Sequence, residues 1–130
     1  MVMNCKILLV DDEKTMVKYL SRRLIKRGFD VSVAYSGLSA LEEIKKIDFD
    51  LVLLDVLMPE MDGIETLKEI KKIKPETEVI MLTGHASVEV GIEGMKSGAF
   101  NYIMKPFDPD ELVKEINLAC EHRRILKKRE

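Results

Sequence analysis

Short apolar runs alternate with amphipathic segments along the whole of this 130-residue chain, and the alternation predicts an α/β domain. The expected architecture is a doubly wound, five-stranded parallel sheet of order 2-1-3-4-5, with helices on both faces. Three observations carry it. Runs such as Leu51–Leu54 (LVLL) and Glu78–Leu82 (EVIML) are continuously apolar rather than alternating, as strands buried on both faces are. The segments between them place apolar residues at helical spacing. Glycines and capping residues mark where those helices begin and end.

Taken in order, Cys5–Val10 (CKILLV) is the first strand, and Glu13–Arg27 the first helix. That helix carries Met16, Val17, Leu20, Leu24 and Ile25 on its apolar face, and Gly28 stands at its C-cap. Asp30–Ala34 is the second strand. A helix from about Gly37 to Lys46 carries Leu38, Leu41 and Ile44. Leu51–Leu54 is the third strand. After Pro59, Asp62-Gly63-Ile64-Glu65 reads as a capped helix start, with Ile64, Leu67, Ile70 and Ile73 as its stripe. The fourth strand, Glu78–Leu82, leads to a helix from about Ser87 to Ser97 that ends at Gly98. Gly91 and Gly94 lie inside it; each costs roughly 1 kcal/mol relative to alanine, which predicts a weak helix that shifts easily, the alternative being that the glycines only permit close packing on the sheet. Phe100–Met104 is the fifth strand. Asp108 as N-cap, Pro109 at the first helical position and Glu111 in a capping box open the last helix, which should run through Cys120 or further.

Composition narrows the function. Twenty-three acids against 21 bases give a formal net charge of -2, which argues against a general basic field for nucleic acid. No apolar run approaches the length of a membrane span, and the first residues lack a signal-peptide pattern, so a cytoplasmic location is expected. Cys5 and Cys120 form no CxxC pair and are expected to be two buried thiols in a reducing cytosol. The eight methionines are read as core filling.

The chemistry gathers at one edge of the predicted sheet. Asp11 and Asp12 end the first strand, Asp55 the third and Thr83 the fourth, while Lys105 follows the fifth. In a sheet of this order the first and third strands are neighbours at the switch point, so three carboxylates converge there. Such carboxylates repel one another unless a cation sits among them, and oxygen donors alone favour a hard ion such as Mg²⁺. With a lysine and a threonine close by, the set suits a phosphoryl group, one carboxylate serving as nucleophile. Each residue alone also has a plain structural reading, such as N-cap, turn or strand end. Their joint placement on four successive strand ends does not.

The segments ILLVDDE, LVLLDVLMPEMDG, VIMLTGH and YIMKPF resemble the signatures of the response-regulator receiver domain, the CheY-like superfamily with a flavodoxin-like (βα)5 sandwich. The resemblance implies that Asp55 is the phospho-acceptor, and that Asp11 and Asp12 bind Mg²⁺, completed by Asp55 and the main-chain carbonyl of Leu57. It further implies that Thr83 is the switch hydroxyl, Tyr102 the switch aromatic and Lys105 the phosphate-binding lysine, followed by a cis bond to Pro106. The implied partners are a sensor histidine kinase and either an effector protein or a covalently linked output domain. A homodimer through the fourth helix, fifth strand and fifth helix is a further option, with no nucleic acid or membrane bound by this segment. Such a domain promotes only its own phosphorylation and dephosphorylation. Leu57 and His85 would flank the hydrolytic water, and an apolar Leu57 predicts slow self-dephosphorylation; His85 is a poor candidate for a metal ligand beside oxygen donors.

The stretch from Thr83 to Leu112 is also similar to receivers of enhancer-binding transcription activators. Residues 1–122 are expected to form the receiver, and 123–130 a basic extension or linker. Leu112, Ile116, Ala119 and Leu126 form a stripe that could continue as a linker helix or dimer seam. The rival class is a haloacid-dehalogenase-like phosphatase with Asp11 as nucleophile. Glu13 stands where that pattern needs a second Asp, and Asp55 would have no role.

Overall fold

A computed structural model describes residues 5–56, 62–84 and 88–128. The strands are β1 (Lys6–Val10), β2 (Asp30–Ala34), β3 (Leu51–Asp55), β4 (Glu78–Thr83) and β5 (Asn101–Met104). The helices are α1 (Lys14–Lys26), α2 (Gly37–Lys46), α3 (Gly63–Ile73), α4 (Val88–Lys96) and α5 (Pro109–Lys128). All pairings are parallel and the order is β2-β1-β3-β4-β5, as the sequence predicts.

Successive strand residues point to opposite faces, so each strand feeds two cores. Ile7, Leu9, Leu51, Leu53, Ile80 and Leu82 pack against α1 and α5. Leu8, Val10, Val52, Leu54, Val79 and Met81 face the other way, against α2, α3 and Val90 of α4. Asp62 caps α3 as the sequence predicts, accepting from the Glu65 N–H at 2.8 Å, and Ser36, which the sequence reading did not single out, caps α2 by accepting from the Ser39 N–H at 3.1 Å. Asp108 accepts from the Asp110 N–H at the start of α5, and Gly28 and Gly98 have the positive φ expected beyond helix ends.

Several expectations need correction. Ile25 and Leu38 are exposed, because α1 buries Val17, Leu20 and Leu24 and α2 buries Gly37, Ala40 and Ile44. Each misjudged residue lies one position off a buried residue, about 100° around the helix. Of the four methionines among the described residues, Met81 is buried and Met16 partly so, but Met95 and Met104 face solvent. Leu112, Ile116 and Ala119 belong to the domain's own core and are not free to form a seam. On α5 the exposed apolar residues are Leu118 and Ile125.

The cysteines are not free thiols. Cys5 and Cys120 form a disulfide with Cα atoms 6.0 Å apart, because α5 crosses back over the start of β1. A separation of 115 residues hides that proximity from the sequence.

Gly94 and Gly91 are sites of close approach. A Cβ on Gly94 would lie 1.9 Å from Met81 Cε, and one on Gly91 would lie 2.9 Å from Tyr102 Cζ. A side chain at either position would meet Met81 or Tyr102 unless that neighbour moved.

Candidate functional site

Backbone pairing fixes the site before any side chain is placed. Asp55 is itself the last residue of β3, in register with Leu82, and Thr83 is the last of β4, in register with Met104. The Asp11 N–H donates to the Ala34 carbonyl just beyond β1, and the Lys105 N–H to the Thr83 carbonyl at 2.7 Å. The reactive groups therefore sit at strand ends held by the sheet ladder, on the edge where the strand order reverses.

Asp11, Asp12 and Asp55 each offer a carboxylate oxygen within 4.8 Å of the others. Asp11 and Asp55 are buried, whereas Asp12 is exposed. Asp11 Oδ1 accepts from the Glu13 N–H at 3.0 Å, so this residue does help to open α1. Its Oδ2 accepts from Lys105 Nζ at 3.1 Å, and the same ammonium reaches Asp55 Oδ1 at 3.5 Å. Burial alone would lower the Lys105 pKa, but the charges of Asp55 and Asp11 outweigh it and hold the ammonium above the ordinary lysine value. Lys105 thus spans the switch point and partly neutralises the carboxylates. Its bond to Pro106 is cis, as the resemblance implies.

The Thr83 hydroxyl donates to the Ile103 carbonyl at 3.5 Å, and Thr83 is buried. Tyr102 is 36% exposed and lies against α4. Leu57 and His85 lie outside the described residues.

Two features escaped the sequence reading. Gly63 is more than a helix start: a Cβ there would lie 2.5 Å from Val56 Cα and 2.9 Å from the Asp55 carbonyl oxygen. Its N–H also donates to the Val56 carbonyl at 2.9 Å, closing the loop behind Asp55. The Asp-Gly pair offered a signal, read only as a cap. At the opposite edge of the sheet, buried Glu78 pairs with His122 and approaches Lys71. Buried Arg123 nearby faces Asp48 and Glu76. Only the odd position of a glutamate opening an apolar strand hinted at this cluster.

The sequence profile of the response regulator receiver domain matches residues 7–117. This chain belongs to the response-regulator receiver family. The receiver is 44% identical over 123 residues to the transcriptional regulatory protein ZraR of Escherichia coli O157:H7, covering 95% of this chain and 28% of that protein. A receiver domain from Methanospirillum hungatei superposes with a TM-score of 0.90 at 32% identity, covering 93% of this chain and 97% of that one. NtrX from Brucella abortus gives 0.90 at 33% identity, covering 97% of this chain but 29% of the longer protein. The receiver therefore spans little more than a quarter of the ZraR chain that it matches. The family match leaves the phosphatase reading without support. Among the described residues, no helix is long and apolar enough to cross a membrane.

Proposed function

We propose that this receiver is the phosphorylation switch of a two-component system, and that Asp55 takes the phosphoryl group from a phosphohistidine of a sensor kinase. The carrying observation is Lys105 Nζ, placed between Asp11 and Asp55 at the mouth of a three-carboxylate cluster. The adjacent pair Asp11 and Asp12 suits metal binding, while Asp55 stands apart on the neighbouring strand. The phosphorus–nitrogen bond breaks as an oxygen of Asp55 bonds to phosphorus, and Lys105 is close enough to meet the oxygens of the transferred group.

The donor set fits Mg²⁺: hard oxygens only, with more negative charge than one lysine balances. Asp11, Asp12, Asp55 and the carbonyl of Leu57 would hold it. When bound, the ion supplies neutralisation of charge on the phosphoryl oxygens. Thr83 and Tyr102 then report the phosphorylated state to α4, β5 and α5. Ile92, Met95, Tyr102, Met104, Leu118 and Ile125 expose apolar surface on those elements, which suits a docking or homodimer face. The output is an effector or a linked domain, and the length of ZraR favours a linked transcription-regulating one. The division into a 1–122 receiver and a 123–130 extension, and a cytoplasmic location, complete the proposal.

Labelling with acetyl phosphate and Mg²⁺ tests it. One phosphoryl group should add to the wild-type protein and none to Asp55→Asn. Labelling that survives in Asp55→Asn but is lost in Asp11→Asn would overturn the assignment.

A further inference from the structure

We propose that Gly91 is the seat of the Tyr102 ring and sets the balance between the ring's outward and inward positions. The proposal rests on the phosphorylation switch above and names a positioning residue for it.

Tyr102 is in register with Met81, and Thr83 lies two residues beyond Met81 on the same face of β4. The Tyr102 side chain therefore leaves the sheet on the α4 side, the side to which Thr83 also points. A Cβ at position 91 would lie 2.9, 3.0 and 3.1 Å from Tyr102 Cζ, Cε1 and Cε2. Favourable carbon contacts are about 3.5–4.0 Å, so the outer edge of the ring fills the volume that any side chain at 91 would need.

The two glycines of α4 serve different neighbours. Gly94 makes room for Met81, which is fully buried and part of the permanent core. Gly91 makes room for a ring that is 36% exposed and can turn about χ1. With the helix backbone bare at 91, the outward ring lies directly on it. A methyl group there would remove that seat and leave the direction of Thr83, whose hydroxyl now donates to the Ile103 carbonyl. A ring favoured inward without phosphate would favour the phosphate-bound state by the same amount.

The test is Gly91→Ala, read by nuclear Overhauser contacts of the Tyr102 ring and by affinity for beryllofluoride with Mg²⁺, a stand-in for the phosphoryl group. The ring contacts should move from α4 to the Thr83 methyl before any ligand is added, and beryllofluoride should bind about fivefold tighter or more. In a Tyr102→Ala background the same substitution should leave affinity unchanged. Unmoved ring contacts overturn the proposal. So does an equal gain in the Tyr102→Ala background, which would trace the effect to the better helix propensity of alanine. A wild-type protein that binds no beryllofluoride would instead overturn the Asp55 assignment, and the ring contacts would still decide the role of Gly91.

Discussion

Replacing Cys5 and Cys120 together by alanine removes the one covalent tie between β1 and α5. Both side chains are buried, at 1% and 2% exposure, so the change leaves little new surface and acts chiefly on the unfolded chain. The bond closes a loop of 115 residues, for which chain entropy gives a ceiling of about 5 kcal/mol. Measured bridges usually deliver about 2–4 kcal/mol, and the lost sulfurs leave only small voids. We expect a loss of about 3 kcal/mol, against a total of roughly 6–20 kcal/mol for a domain of this size. In urea the midpoint should fall and the slope should rise, because the unfolded chain without the cross-link is less compact, and Tm should drop by about 10 °C. Thiol titration of the purified wild-type protein, native and unfolded, should find no free thiol. Two titratable thiols, or coincident unfolding curves for variant and wild type, would refute the clamp.

Four further outcomes follow from the same geometry. Lys105→Met should slow acetyl-phosphate labelling yet tighten Mg²⁺ binding several-fold, because a competing cation leaves Asp11 and Asp55; fluorescence or calorimetric titration checks both the direction and its sensitivity to salt. The Lys105 pKa is raised above 10.5 by its carboxylate partners, so the stability it contributes is whole below that pH and fades as pH rises through the folded value. The gap in unfolding free energy between wild type and Lys105→Met should accordingly shrink on going from neutral to strongly alkaline pH. Gly63→Ala should cost about 1–3 kcal/mol by denaturation and slow labelling, since its Cβ meets backbone that cannot rotate away. Ending the chain at His122 should cost about 1–3 kcal/mol, because it removes buried Arg123 and its pairing with Asp48 and Glu76; unchanged stability would show that the 123–130 extension adds nothing to the hold of the receiver.

Strand order and the clustering of the carboxylates with Lys105 were legible in the sequence for a common reason. A parallel sheet needs continuous apolar runs, and a doubly wound sheet presents its strand ends at one edge, so Asp11, Asp55, Thr83 and Lys105 could be brought together by topology alone. Helix faces were less legible. Ile25 and Leu38 are apolar and near the stripe, but the sheet covers only a narrow arc of each helix, and both fall just outside it. Least legible were features created by distant crossings. The approach of Cys120 to Cys5, of Arg123 to Asp48 and of His122 to Glu78 each depends on the path of α5 across the sheet, which no local pattern encodes.

Those crossings divide the molecule by role. At the carboxyl edge of the sheet, Lys105 is shared between Asp11 and Asp55, and Tyr102 lies on bare helix backbone, so a new charge can redistribute the contacts. Toward the opposite edge, the second half of α5 is held by a disulfide at Cys120, by the pairing of His122 with buried Glu78 and by buried Arg123. A helix anchored three times within four residues is poorly placed to slide as a unit. A signal from Asp55 is therefore more easily absorbed by α4 and the Tyr102 ring, whose contact runs over a glycine, than by α5. We expect α5 to be the fixed wall of the proposed output face and α4 its movable one. Hydrogen exchange should then differ between phosphorylated and unphosphorylated protein across Val90–Lys96 and hardly at all across Ala119–Arg123. A comparable change at both segments would show that the anchors do not hold.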